Sequence, residues 1–188
     1  MKASDTAEGA PMSKRRLSAQ QGIEAACILF QINSRSGAID AMAQGARMPP
    51  EYASGPGAEI FRAEWRAFVH AVVTAGLMQH APNTVFMGYL RQTVHLLAAS
   101  ASSAAFADPQ AAESALTSFV DGPFAQYMPL LAREQQAACP DLFCRRLAER
   151  SPSGAVPSNQ AKARLAAIMA LVISAIWDKL EEYEILAD

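Results

Sequence analysis

The sequence has no charge excess of either sign. Sixteen Lys and Arg stand against eighteen Asp and Glu, a net charge of -2 with a pI near 5.9. A nucleic-acid binder normally carries a strong basic surplus, so that partner is not expected. Cysteine is scarce as well. Cys27, Cys139 and Cys144 are an odd set that cannot all pair within one chain. Cys139 and Cys144 also lack the closer C-x-x-C spacing of a redox or zinc motif. Free thiols in the reducing cytoplasm are the expectation. Arg145 and Arg146, beside Cys144, are the one feature that would lower a thiol pKa, and incidental thiols remain the better reading.

Long apolar runs are missing too. The longest uncharged one, Leu165 to Trp177, lies between Arg164 and Asp178. At about 1.5 Å per residue it spans roughly 20 Å, short of the ~30 Å hydrocarbon core, so a core helix is expected rather than a membrane span. Lys14-Arg15-Arg16 precede a stretch interrupted by Gln20, Gln21 and Glu24, which is no clean secretory leader. Absent also are G-x-S-x-G, H-E-x-x-H, a P-loop and G-x-G-x-x-G. A Glu-x-x-His motif, as in dinuclear carboxylate bundles, is not found either.

What is present is apolar mass at helical spacing. Hydrophobic residues make up 51% and charged residues 18%, enough for a sizeable core and against whole-chain disorder. Ala outnumbers β-branched residues, which favours helix. We expect an all-α, single-domain bundle of about six or seven helices spanning 17–188, after a disordered tail over 1–16. Its centre is an antiparallel hairpin over 58–106 and a long C-terminal helix.

Ser18 is placed as the N-cap of a first helix that is apolar on two sides. Ile23, Ala26, Cys27 and Phe30 lie on one, with Ile28, Leu29 and Ile32 on the other; both need cover. A short helix over Ala38 to Gln44 follows, then a loop from Gly45 to Gly57 with two Pro/Gly clusters. Phe61, Trp65, Phe68, Val69 and Val72 form the stripe of the next helix, which turns at His80–Asn83. Phe86, Leu90, Val94, Leu97 and Ala101 form the stripe of its hairpin partner. Ala98 to Ala107 is nearly all Ala and Ser, and Asp108-Pro109 marks a further helix start. That helix is expected to stop at Asp121-Gly122-Pro123. Helix resumes from Phe124 to Ala138 with a kink at Pro129, and Pro140 opens a short helix to Arg150. After a loop at Ser151–Pro157, the last helix runs from Ser158 to near Leu186. Its apolar half carries Leu165, Ile168, Met169, Val172, Ile173, Ile176, Trp177 and Leu180. Ala167, Ala170 and Ser174 give it a second, small-residue face, which suits the middle of a bundle or a subunit interface.

With Trp65, Phe68 and Val72 inward, His70 projects to the opposite side at 100° per residue, and His95 does the same on the next helix. His80 sits at the turn, so the three histidines are read as surface groups and no metal or cofactor is expected. Glu59 and Glu64 beside Arg62 and Arg66 suit a solvated, salt-bridged face. The acidic end (Asp178, Glu181, Glu182, Glu184, Asp188) has only Lys179 to offset it and reads as a solvated tail, or else as a dock for a basic partner. The helix start after Gly55-Pro56-Gly57 is an anion site only in the weakest sense, because no phosphate-binding Lys or Thr follows.

No catalytic residue emerges. Trp65, Phe68, Met169, Val172, Ile176 and Trp177 are the candidate interface or pocket, joined by Met87, Tyr127 and Met128 in the pocket version; plain core packing competes with both. Three readings of function follow. The first is a non-enzymatic interaction module, self-associating or binding a protein partner. The second is a ligand-binding or regulatory domain with an apolar pocket between helices for a small molecule. The third is an enzyme with a dispersed site.

Overall fold

A computed structural model of the chain describes residues 14–98 and 109–187. The fold is all-α, apart from one two-stranded parallel ribbon. In chain order the elements are β1 (Arg15–Leu17), α1 (Ala19–Asn33), α2 (Ser36–Ala46), α3 (Gly55–His80), α4 (Asn83–Ala98), α5 (Pro109–Phe119), α6 (Ala125–Ala132), α7 (Cys139–Arg150), α8 (Asn159–Glu181) and β2 (Tyr183–Ile185).

The helix starts follow local chemistry. Ser18 caps α1 in a capping box, its hydroxyl accepting from the Gln21 amide while the Gln21 side chain accepts from the Ser18 amide. Ser158 caps α8 by accepting from the Ala161 amide. Pro140 sits in the first turn of α7, where its missing N–H costs nothing. The loop between α2 and α3 carries a short 3-10 turn, Pro50–Tyr52, that seats Tyr52 in the core with its hydroxyl donating to Ala155 O at 3.0 Å. Gly57 permits this seat, because a Cβ there would stand 2.2 Å from the Glu51 carbonyl oxygen.

The α3–α4 hairpin is present, and α3 is the axis of the molecule. It packs against α1, α2, α4, α6, α7 and α8, and every residue from Ala67 to Leu77 is buried. Gly76 lets α8 approach closely; a Cβ there would meet Leu180 Cδ1 at 2.7 Å and Trp177 Cδ1 at 2.9 Å. On α4 the inward face is Val85, Tyr89, Leu90 and Thr93, with Phe86 only half-buried, so it is turned by about one residue from the expected stripe. The side chains of Val94, His95 and Leu97, the Ala/Ser stretch 99–107 and the Asp108 cap lie outside the described residues.

Several boundaries differ from expectation; α6, for one, stops at Ala132 instead of running on to Ala138, and α3 starts at Gly55, inside the expected loop. The chain does not break at Asp121-Gly122-Pro123: a π-helical turn, Val120–Phe124, carries α5 into α6. Arg15 and Arg16, assigned to the tail, form β1, while residues 1–13 lie outside the described residues. The last helix ends at Glu181 and the chain then turns into β2, which pairs with β1 in the register Arg15 to Tyr183, Arg16 to Glu184 and Leu17 to Ile185. The acidic end therefore meets this chain's own basic run, with Arg16 Nε 2.8 Å from Glu184 Oε2. No described helix is long and apolar enough to cross a membrane.

Candidate functional site

The six candidate residues are drawn to the interior. Trp65, Phe68, Met169 and Ile176 are at most 1% exposed, and Val172 is buried with them. Trp65 donates its indole N–H to Asn33 O at 2.9 Å, and the half-buried Trp177 donates to Val72 O at 3.0 Å. Phe61, Trp65, Phe68, Phe143 and Tyr127 pack ring to ring at centroid distances of 5.3–6.4 Å. Both indoles are satisfied by backbone, so neither is left over for a ligand.

Two polar groups expected at the surface are instead buried. His70 is 0% exposed, because α3 has no wet side at that level. Its ring is walled by Phe30, Tyr89 and Phe119 at centroid distances of 5.3, 4.9 and 4.5 Å. The Thr93 hydroxyl donates its one proton to Tyr89 O at 2.7 Å, so towards His70 Nε2, 2.6 Å away, it can only accept. That fixes the Nε2–H tautomer and leaves the Nδ1 lone pair buried with no partner. Burial pushes the imidazole pKa down to about 3. The Tyr89 hydroxyl is also buried without a partner.

Glu64 is likewise 0% exposed and belongs to no solvated face. Its Oε1 accepts from the Tyr127 hydroxyl at 2.8 Å and from Arg146 Nε at 2.6 Å, and its Oε2 from Arg150 Nη1 at 3.3 Å. Burial, with the Glu64 charge beside it, holds the Tyr127 phenol well above the usual range. One carboxylate thus ties α3 to α6 and α7. The neighbouring Arg62 does take the expected role, pairing with Glu59 at 2.5 Å, and it also forks onto Asp40 of α2 at 2.8 and 2.7 Å.

The remaining chemistry is sparse. Burial raises the Cys139 and Cys144 thiols to about 11, so at neutral pH neither is a thiolate, whatever arginines stand nearby. At the N-terminus of α3, a depression of about 250 Å³ has Glu51 on its wall, accepting from the Ser151 and Ser153 hydroxyls. A carboxylate there disfavours the anion that a bare helix start would attract. A second groove, of about 500 Å³, runs between Lys14, Arg15, Asp178 and Glu182 with both signs of charge. Among the described residues no three His, Cys, Asp or Glu side chains are grouped as metal ligands would be.

The surface shows more. Both helices expected to need cover on two sides have it on one. On α1, Ile28 and Ile32 stand 55% and 52% exposed, one turn apart. On α8, the face opposite the core presents Ala163, Ala167, Ala170, Leu171 and Ser174 to solvent, with Leu171 70% exposed. Neither face can be told from a covered one by sequence alone, because periodicity says which side is apolar and not what lies against it. Comparison with protein families, with curated proteins and with solved structures finds no similarity to this chain, so the functional reading stands on this geometry.

Proposed function

We propose that the protein is a non-enzymatic helical interaction module, engaging another protein or a second copy of itself. The carrying observation is the bare outer face of α8, where Leu171 stands 70% exposed among small side chains. A lone exposed leucine is ordinary. This one sits at the middle of a stripe that permits close approach of another helix, and α1 adds the Ile28–Ile32 pair. The near-neutral charge supports a protein partner over nucleic acid. Three unpaired cysteines support a cytoplasmic setting.

The test is a photo-reactive amino acid placed at Leu171, and separately at Ile28, in the full chain inside producing cells. A discrete covalent adduct of defined mass is expected from position 171. A smear no stronger than from a control at exposed Glu149 at both positions would end the interaction reading.

A second reading, a domain holding a small molecule, is favoured by one observation. His70 Nδ1, an acceptor, and the Tyr89 hydroxyl, a donor, are both buried without partners among aromatic walls. Such groups cost roughly 1–3 kcal/mol each when unmet, and a small polar guest would meet them. Native mass spectrometry of the purified chain then shows a second species heavier than the 20.1 kDa polypeptide, lost in His70→Leu. A single species at the polypeptide mass counts against this reading.

A further inference from the structure

We propose that the outer face of α8 pairs with the same face of a second copy of this chain, the two helices antiparallel about a two-fold axis at Leu171. The inference rests on the interaction reading above and names its partner.

Arg164, Leu171 and Asp178 are seven residues apart, two helical turns, so they lie along one line of α8 with a drift of only about 20° per step. The line reads positive, apolar, negative. Beside it runs the small-residue row Ala163, Ala167, Ala170 and Ser174, all exposed. Small side chains let helix axes close towards the short end of the ~8–10 Å range. Leu171, 70% exposed, is the one large apolar group on this face and sits at its midpoint.

Charge selects the direction and the occupant. Antiparallel pairing centred on Leu171 sets Arg164 of each copy level with Asp178 of the other, at both ends of the seam. Parallel pairing would set arginine on arginine and aspartate on aspartate. No ion pair among the described residues includes Arg164 or Asp178. Arg164 Nη1 is out of solvent with no acceptor, and Asp178 accepts only from Ser174, at 2.9 Å. Lys14 and Arg15 border the groove beside Asp178 without reaching ion-pair distance. A face that is its own complement under a two-fold rotation is what an isologous dimer needs; an unrelated partner has no use for that symmetry. From Arg164 to Asp178 the seam is about 21 Å long, which predicts a small and reversible interface.

The experiment is sedimentation equilibrium on the full chain, with helical content checked by circular dichroism, which also registers any loss of fold at Arg164, whose side chain is only part-exposed. The wild type is expected to dimerise reversibly, and Leu171→Asp to be monomeric. Arg164→Asp and Asp178→Arg, singly, set like charges together at both ends and are expected to weaken the dimer by about tenfold or more. The double swap Arg164→Asp with Asp178→Arg is expected to recover to within about threefold of wild type, a rescue that a merely structural role would not give. A wild type monomeric at about 200 µM overturns the proposal, as does a dimer indifferent to Leu171→Asp or a double swap no tighter than the singles. In those cases a Leu171 photo-adduct to a different protein still upholds the interaction reading. With neither dimer nor adduct, both fall.

Discussion

Glu64→Ala is expected to cost about 3–5 kcal/mol of stability, the range for removing one partner of a buried ion pair. The carboxylate is wholly enclosed and holds Tyr127, Arg146 and Arg150 at once. Without it, the Arg146 guanidinium, on a side chain only 12% exposed, keeps its charge and loses its acceptor. The Tyr127 hydroxyl loses its own acceptor in the same step. For a chain of this size the midpoint temperature should fall by about 6–20 °C. Arg150→Ala should cost less than about 1 kcal/mol, since that side chain is 44% exposed and only 3.3 Å from Glu64. Glu64→Met combined with Arg146→Leu and Tyr127→Phe should recover most of the loss, because a packed apolar trio removes the unmet groups along with the pair. Denaturant melts of the three variants beside the wild type decide the matter. A Glu64→Ala chain within about 1 kcal/mol of wild type would show that the cluster is no anchor.

The second large effect is on pH dependence, and it follows from His70. In the unfolded chain its imidazole has the ordinary value of 6.5, and in the folded chain burial lowers it to about 3. Between those values the unfolded state binds a proton that the folded state refuses. Stability is therefore complete above pH 6.5 and falls, as pH drops, by up to about 1.4 kcal/mol per unit. The loss from this one group is about 2 kcal/mol at pH 5 and more than about 3 kcal/mol at pH 4. His70→Gln can still donate to Thr93 and does not titrate, so its stability should stay flatter over that window. The quantity to measure is the unfolding free energy of both chains at several pH values from 8 to 4, taken as a difference so that shared carboxylates cancel. Curves that stay parallel would contradict a neutral, buried His70.

These two side chains also mark where the sequence stopped being legible. The stripe Phe61, Trp65, Phe68, Val69 and Val72 was readable because it recurs at helical spacing, and the caps at Ser18 and Ser158 because their donors and acceptors are local. Placing His70 and Glu64 outward assumed that α3 keeps one wet side. The helix instead runs through the middle of the bundle, where opposite the core there is more core. A signal was present: from Ala67 to His80 the chain carries no Asp, Glu, Lys or Arg over nearly four turns, too long a gap for a solvated face. Glu64 had no such signal, since Tyr127 and Arg146 lie 63 and 82 residues away.

The ends of the chain fail for a different reason. Lys14-Arg15-Arg16 and the acidic C-terminus each read as a charged flank, and only the fold brings them side by side as β1 and β2. The outer faces of α1 and α8 invert the error. Their second apolar sides were legible, and both were expected to be covered. Within this chain Ile28, Ile32 and Leu171 are not. The candidate interface residues on α8, Met169, Val172, Ile176 and the half-buried Trp177, pack against the core, while residues close by, Ala170, Leu171 and Ser174, face out. The sequence pattern marked the more apolar side of α8, which the core takes, and the side left bare is the other one.

The most direct measurement is the sedimentation of the unmodified chain as its concentration rises to about 200 µM, run beside Leu171→Asp. A bare, self-complementary α8 predicts that the wild type moves from one copy towards two while the variant stays single. Two superimposable, concentration-independent monomers would contradict it.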